Sequence, residues 1–161
     1  MDEIIEILQE NARITPEEIA VMLKISVEEV KERIKKLEDD KVILKYSAII
    51  NPEKSPKKNE KVLAFIEVRV RPEREKGFDS IAERLYKFPE VKSLYLMSGA
   101  YDFLVVVEGK TLKDVAFFVS EKLSVQENVK STATHFLLKT FKENGTIIDS
   151  FEEIERLAVI P

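Results

Sequence analysis

Two helix-start devices stand eleven residues apart between Thr15 and Tyr46, and that spacing leaves few folds open. Thr15-Pro16-Glu17-Glu18 offers a hydroxyl at the N-cap, proline at the first helical position and a glutamate at N3 that reaches back to the cap N–H. Ser26-Val27-Glu28-Glu29 repeats the device. Ile19, Ala20 and Leu23 make one apolar stripe; Val30, Ile34 and Leu37, at i, i+4 and i+7, make the next. The connection Lys24-Ile25 is so short that the helices must cross steeply, which is a helix-turn-helix. In that arrangement the second helix can enter a DNA major groove while the first braces it. Asp2 to Ala12, with Ile4, Ile5, Leu8 and Ala12 on one side, supplies a third helix. Val42 to Ile50 looks extended and predicts a small wing or connecting strand.

Asn51 to Lys61, NPEKSPKKNEK, is polar and holds two prolines, which is how an exposed linker reads. The expected divisions are therefore a winged helix-turn-helix at 1–51, a linker at 52–61 and a second domain at 62–145. Within the second domain strand and helix alternate in two similar halves: 62–70, 77–88 and 91–98, then 101–108, 111–123 and 129–141. Two βαβ units joined by a tight hairpin at Gly99-Ala100 predict a ferredoxin-like βαββαβ domain, so the fold class is α+β. Residues 146–161 form a C-terminal extension that can make a short helix carrying Phe151, Ile154 and Leu157.

Both helices of the second domain are amphipathic, through Phe78, Ile81, Ala82 and Leu85 and through Leu112, Val115, Ala116, Val119 and Leu123. They can cover one sheet face. The other face is also apolar: Leu63 and Phe65 lie opposite the row Val62, Ala64, Ile66, Val68 and Val70, and Leu104 and Val106 lie opposite Phe103, Val105 and Val107. A sheet with one solvated face should alternate apolar with polar, so this surplus predicts a covering partner, most economically a second copy.

Composition narrows the function by exclusion. The chain has no cysteine, which rules out disulfides and thiolate metal sites, and its start lacks both a basic n-region and an uninterrupted apolar run. A soluble, cytoplasmic protein without a membrane segment is expected. His135 is the only histidine, and no phosphate loop or paired Ser/His arrangement is present, so neither an enzyme nor a cofactor is expected. Charged residues make up 35% of the chain, with only Gln9 and Gln126 as glutamines and four glycines, a balance that suits a thermophile.

The runs SVEEVKERIKKLE and VILKY, the hairpin SGAYDFLVVVEG and the last strand VKSTATHFLLKTFK, in this order, resemble the Lrp/AsnC (feast/famine) transcription regulators. The match runs from Ile4 to about Lys142. It implies a C-terminal dimerisation domain of the RAM or ACT-like type, dimers that present paired N-terminal domains to double-stranded DNA, possible assembly to octamers, and an amino-acid effector bound near the Gly99 hairpin between dimers. Two positions depart from the family: Lys24 in the turn and Lys41 after the second helix stand where glycine is usual.

Residues 1–51 hold twelve acids against eight bases, whereas the remainder holds eighteen of each. The DNA-binding block therefore lacks the usual basic footprint, and weak nonspecific binding assisted by avidity is expected. Lys31, Lys35, Lys36 and Lys45 are the candidate phosphate contacts. Ser26 can meet a phosphate as well as cap, and Arg33 matches the arginine of the family's recognition helix, although pairing with Glu29 at i, i+4 is its alternative role. The plainer reading of this face is a salt-bridged solvent surface; a competing class, suggested by the acidic first block, is an interaction protein whose helices meet another protein.

For a free amino acid, Asp102 can take the ammonium, and the loop Ser98, Gly99, Ala100 and Tyr101 can offer N–H and hydroxyl donors. By the resemblance, Thr132 and Thr134 add polar positions. Alternatively, Asp102 satisfies turn N–H groups. Sirohaem decarboxylases share the two-module layout, with His135 as the residue that would touch a tetrapyrrole. They remain the less favoured class.

Overall fold

The computed structural model describes residues 2–52, 54–55, 61–72 and 77–148. The chain divides into two compact units, Met1–Ile50 and Asn51–Pro161. In the first, α1 (Glu3–Glu10), α2 (Pro16–Leu23) and α3 (Val27–Asp39) surround a core of Ile4, Ile19, Ala20 and Val30, closed by Leu8, Leu23, Ile34 and Leu37 among others. Each helix starts on a side-chain cap. Asp2 Oδ1 accepts the Ile4 N–H at 3.0 Å, Thr15 Oγ1 the Glu18 N–H at 3.2 Å and Ser26 Oγ the Glu29 N–H at 3.1 Å. Glu18 Oε2 accepts the Thr15 N–H at 2.8 Å, which completes a capping box and lowers the Glu18 pKa. The first helix stops at Glu10, short of the expected Ala12, because Asn11 turns extended while its N–H still reaches Ile7 O.

Two left-handed lysines end the second and third helices. Lys24 has φ 56° and ψ 41°, and the next N–H, of Ile25, reaches back to Ala20 O at 3.2 Å. Lys41 has φ 59°, and the Val42 N–H reaches Leu37 O at 2.9 Å. Both are Schellman-type endings with lysine where glycine is favoured, at about 1 kcal/mol each. The strand expected over Val42 to Ile50 does not form. Residues 43–50 join neither helix nor ladder, because nothing in this unit offers their N–H and C=O groups a partner strand, and Leu44 and Ile50 remain 80% and 63% exposed. One side chain ties the segment back: Tyr46 OH donates to Glu38 Oε1 at 3.0 Å, and burial with this bond raises the tyrosine's pKa.

In the second unit β1 (Val62–Val70), β2 (Val91–Leu96), β3 (Phe103–Gly109) and β4 (Val129–Phe136) form an antiparallel sheet in the order β2-β3-β1-β4. The crossovers are α4 (Asp79–Leu85) and α5 (Leu112–Phe118), the latter running into a π-helical turn at Val119–Leu123. This is the ferredoxin-like order. Ala64, Ile66, Val68 and Val70 of β1 and Phe103, Val105 and Val107 of β3 pack under Ile81, Leu85, Val115 and Phe118, each buried aliphatic contributing about 1.5–3 kcal/mol. Edge-to-face rings, Phe78 on Phe103 at 5.9 Å and Phe88 on Phe118 at 5.5 Å, fasten both helices to this core.

Gly109 permits the close approach of α5. A Cβ there would lie 2.9 Å from Val115 Cγ2 and 3.2 Å from Thr111 O. The last strand ends at Phe136, not Phe141, and a short hairpin follows: β5 (Lys142–Glu143) and β6 (Thr146–Ile147) turn at Asn144 and Gly145, φ 44° and 83°. Two consecutive left-handed residues make the tight turn that Asn-Gly favours. The helix expected with Phe151, Ile154 and Leu157 lies outside the described residues.

The face of the sheet away from the helices carries Leu63, Phe65, Glu67 and Arg69 of β1, Leu104 and Val106 of β3, and Ala133 and His135 of β4, as the register requires. Val106 is buried on this face and Leu63, Phe65 and Leu104 are half-buried, and the stretch after β4, with Leu137 and Phe141, lines a cavity with Leu63 and Phe65.

Candidate DNA interface and effector hairpin

The third helix presents an uneven charge pattern. Glu28 and Glu29 sit in its first turn and Lys36 in its last, which suits the helix dipole and shifts the positive end toward the C-terminal half. Arg33, Lys35 and Lys36 are exposed and form no ion pair among the described residues, so the alternative Arg33–Glu29 pair is not made. Lys31 is engaged: its Nζ lies 3.6 Å from Glu17 Oε1 on α2, with both side chains about 60% exposed. Such a surface pair is weak enough to yield to a phosphate. Ser26 uses an oxygen lone pair as cap, leaving its O–H to donate. Lys45 is exposed in the unladdered stretch after the helices. Sequence reasoning missed the Tyr46–Glu38 tether, which no local pattern announces.

At one end of the sheet, the hairpin between β2 and β3 closes when the Met97 N–H donates to Asp102 O at 2.8 Å. Ser98, Gly99 and Ala100 are exposed in its loop, with Gly99 at φ 150°, and Tyr101 and Asp102 are half-buried. Asp102 belongs as much to β1 as to the turn. Its N–H donates to Val68 O at 3.0 Å and its Oδ2 accepts the Val70 N–H at 2.8 Å. Neither alternative read from sequence named this contact, because Val70 is far away along the chain. Among the described residues the other carboxylate oxygen has no protein partner.

Thr132 and Thr134 are half-buried on β4, opposite Val68 and Ile66, and therefore lie on the helix-covered side of the sheet. Val68 pairs with Phe103 on its other side, so β1 separates the threonines from the hairpin strand by two ladder spacings, about 10 Å. A single chain does not bring these polar groups together. His135 is placed elsewhere: Nε2 lies 3.3 Å from Glu67 Oε1 on the open face.

The two units match two known domains: the AsnC-type helix-turn-helix domain over residues 3–38 and the Lrp/AsnC ligand binding domain over residues 63–147. The chain is 50% identical over 159 residues to the uncharacterized HTH-type transcriptional regulator YugG of Bacillus subtilis, covering 99% of this chain and 95% of that protein. The chain belongs to the Lrp/AsnC family of transcriptional regulators. A further relative, the HTH-type transcriptional regulator FL11 of Pyrococcus furiosus, is 33% identical over 140 residues, 87% of this chain and 88% of its own length. Among solved structures, the transcriptional regulator NMB0573 of Neisseria meningitidis in complex with L-Met has a TM-score of 0.68 and 29% identity, covering 87% of this chain and 88% of that one. As an Lrp/AsnC protein the chain is a DNA-binding transcription regulator. Among the described residues no helix is long and apolar enough to cross a membrane.

Proposed function

We propose that this regulator works as a pair in the cytoplasm. Two copies close the open sheet face and so fix the separation of two α3 helices on one operator. Residues 1–51 then read the DNA, 52–61 tether, and 62–145 pair the chains and take a ligand. The observation that carries the reading is the apolar row on the face away from the helices, where Leu63, Phe65 and Leu104 stay half-exposed in one chain beside the buried Val106. Ser26, Lys31, Arg33, Lys35, Lys36 and Lys45 are the DNA contacts, phosphate contacts dominating.

The ligand is a free amino acid held at Ser98, Gly99, Ala100, Tyr101 and Asp102, with Asp102 on its ammonium. The L-Met complex of the Neisseria relative supports this ligand class. Since Thr132 and Thr134 stand across β1 from the hairpin, they complete the site from another copy, and dimers then gather, up to octamers. Ligand binding at such a junction favours one assembly over another, which is how it reaches the DNA. No chemistry is required of the protein in this role.

Sedimentation of the full chain at micromolar concentration, with and without millimolar L-methionine, tests the proposal. Dimers alone, and a change in larger species on adding the amino acid, are expected. A stable single chain overturns the pairing; no change with any of the twenty amino acids overturns the ligand.

A further inference from the structure

Lys24 and Lys41 are left-handed although neither is glycine, and they bracket the same helix: Lys24 three residues before α3, Lys41 two residues after it. Both are exposed, and neither has an ion pair or side-chain hydrogen bond among the described residues that would offset the backbone strain. Only lysine's proximity to the negative end of each preceding helix favours it there, and that attraction is small and screened. Strain left standing at two ends of one element points to a use for the side chains.

We infer that Lys24 and Lys41 are phosphate clamps at the two ends of the reading helix. The inference rests on the family's DNA-binding function and adds two contacts to the candidate set. Thirteen residues make α3 about 20 Å long, against a major groove about 12 Å wide, so a helix lying across the groove brings its ends to the two flanking backbones. Two lysines there supply charge where an acidic unit most lacks it, and no base contact is asked of them. Backbone stability is given up for phosphate affinity.

The test reads two quantities of opposite sign on the full chain, using a fluorescent mixed-sequence duplex of about 30 base pairs over a salt series. Lys24→Gly and Lys41→Gly should each raise the melting temperature by about 2–4 °C. Each should also weaken duplex binding several-fold at low salt and cut the log–log salt slope by about 0.9 per bound copy. Lys24→Asn, which tolerates the left-handed backbone but carries no charge, should lose binding in the same way; Lys24→Arg should keep it. Warmer melting with an unchanged slope in both glycine variants overturns the clamp while leaving the regulator reading intact. Absence of duplex binding by the unsubstituted chain overturns both together.

Discussion

Asp102 holds the end of β1: its Oδ2 accepts the Val70 N–H at 2.8 Å, at the bulge where the register of β1 against β4 shifts between Arg69 and Val70. The carboxylate therefore replaces a ladder carbonyl, and its second oxygen is what a ligand ammonium can use. Asp102→Asn keeps an acceptor for Val70 but removes the charge, whereas Asp102→Ala removes both. The expected outcome is a near-native melting temperature for the asparagine variant and a loss of about 1–2 kcal/mol for the alanine one, with calorimetric heat from L-methionine lost in each. Retained heat in Asp102→Asn would clear the carboxylate of ligand binding.

Phe65 lies half-buried on the open face, paired across to Val106 and His135. Phe65→Glu should leave each chain folded and separate the copies, because a carboxylate buried in an apolar interface finds no partner there. Equilibrium sedimentation should read a single chain, with the far-ultraviolet spectrum unchanged. Undiminished dimers would place the pairing surface elsewhere.

Lys35 and Lys36 project from the C-terminal half of α3, free of ion pairs among the described residues. Replacing both with Ala should weaken duplex binding about equally for all sequences and flatten its salt dependence by about 2 per bound copy. An unaltered slope, measured by anisotropy, would exclude them as phosphate contacts.

Gly109 has no room for a methyl group against Val115 and Thr111. Gly109→Ala should destabilise the second unit by about 1–3 kcal/mol through displacement of α5. In a Val115→Ala background that cost should shrink, since the closest opposing atom, Cγ2, is gone. Thermal unfolding of the four proteins in the cycle measures it.

Lys61 and Lys92 lie 2.8 and 3.4 Å from Glu108, and the hydrogen bond from Lys61 is the main cause of its lowered pKa. Glu90 is lowered likewise by its hydrogen bond from Lys122. A carboxylate with a depressed folded pKa contributes stability that is complete above its unfolded value, 4.5, and fades as pH falls through the folded one. Acid unfolding of the second unit should therefore steepen below that value. Glu108→Gln should flatten the acid limb, and the effect should be modest because both carboxylates are partly exposed.

What sequence conveyed here was mostly local. The caps at Thr15 and Ser26, and the stripes that bury Ile4, Ile19 and Val30, depend on neighbours three or four positions away, so spacing alone declared them. The double apolar rows of β1 and β3 were equally plain. Val42 to Ile50 has a strand's composition, but a ladder needs a second strand and this unit supplies none. Asn144-Gly145 is itself a local hairpin signal, since both residues accept the left-handed backbone that the β5–β6 turn uses. Departures of Lys24 and Lys41 from glycine were visible, whereas their left-handed backbone emerged only from the fold. Asp102 on Val70 and the displacement of Thr132 from the hairpin are matters of strand order, which no short window of residues contains.

Grease on both sides of β1 has a cost during folding. A strand that alternates cleanly is punished for sliding by one position, because every oily group then meets water; this one is punished far less. What resists the slip is the pair of charges at Glu67 and Arg69, which would be driven beneath the helices, together with the acid-held kink at the strand's end. Proofreading of the alignment is thus concentrated in a few residues at one tip, and lesions there should yield mis-threaded, sticky chains sooner than merely looser ones.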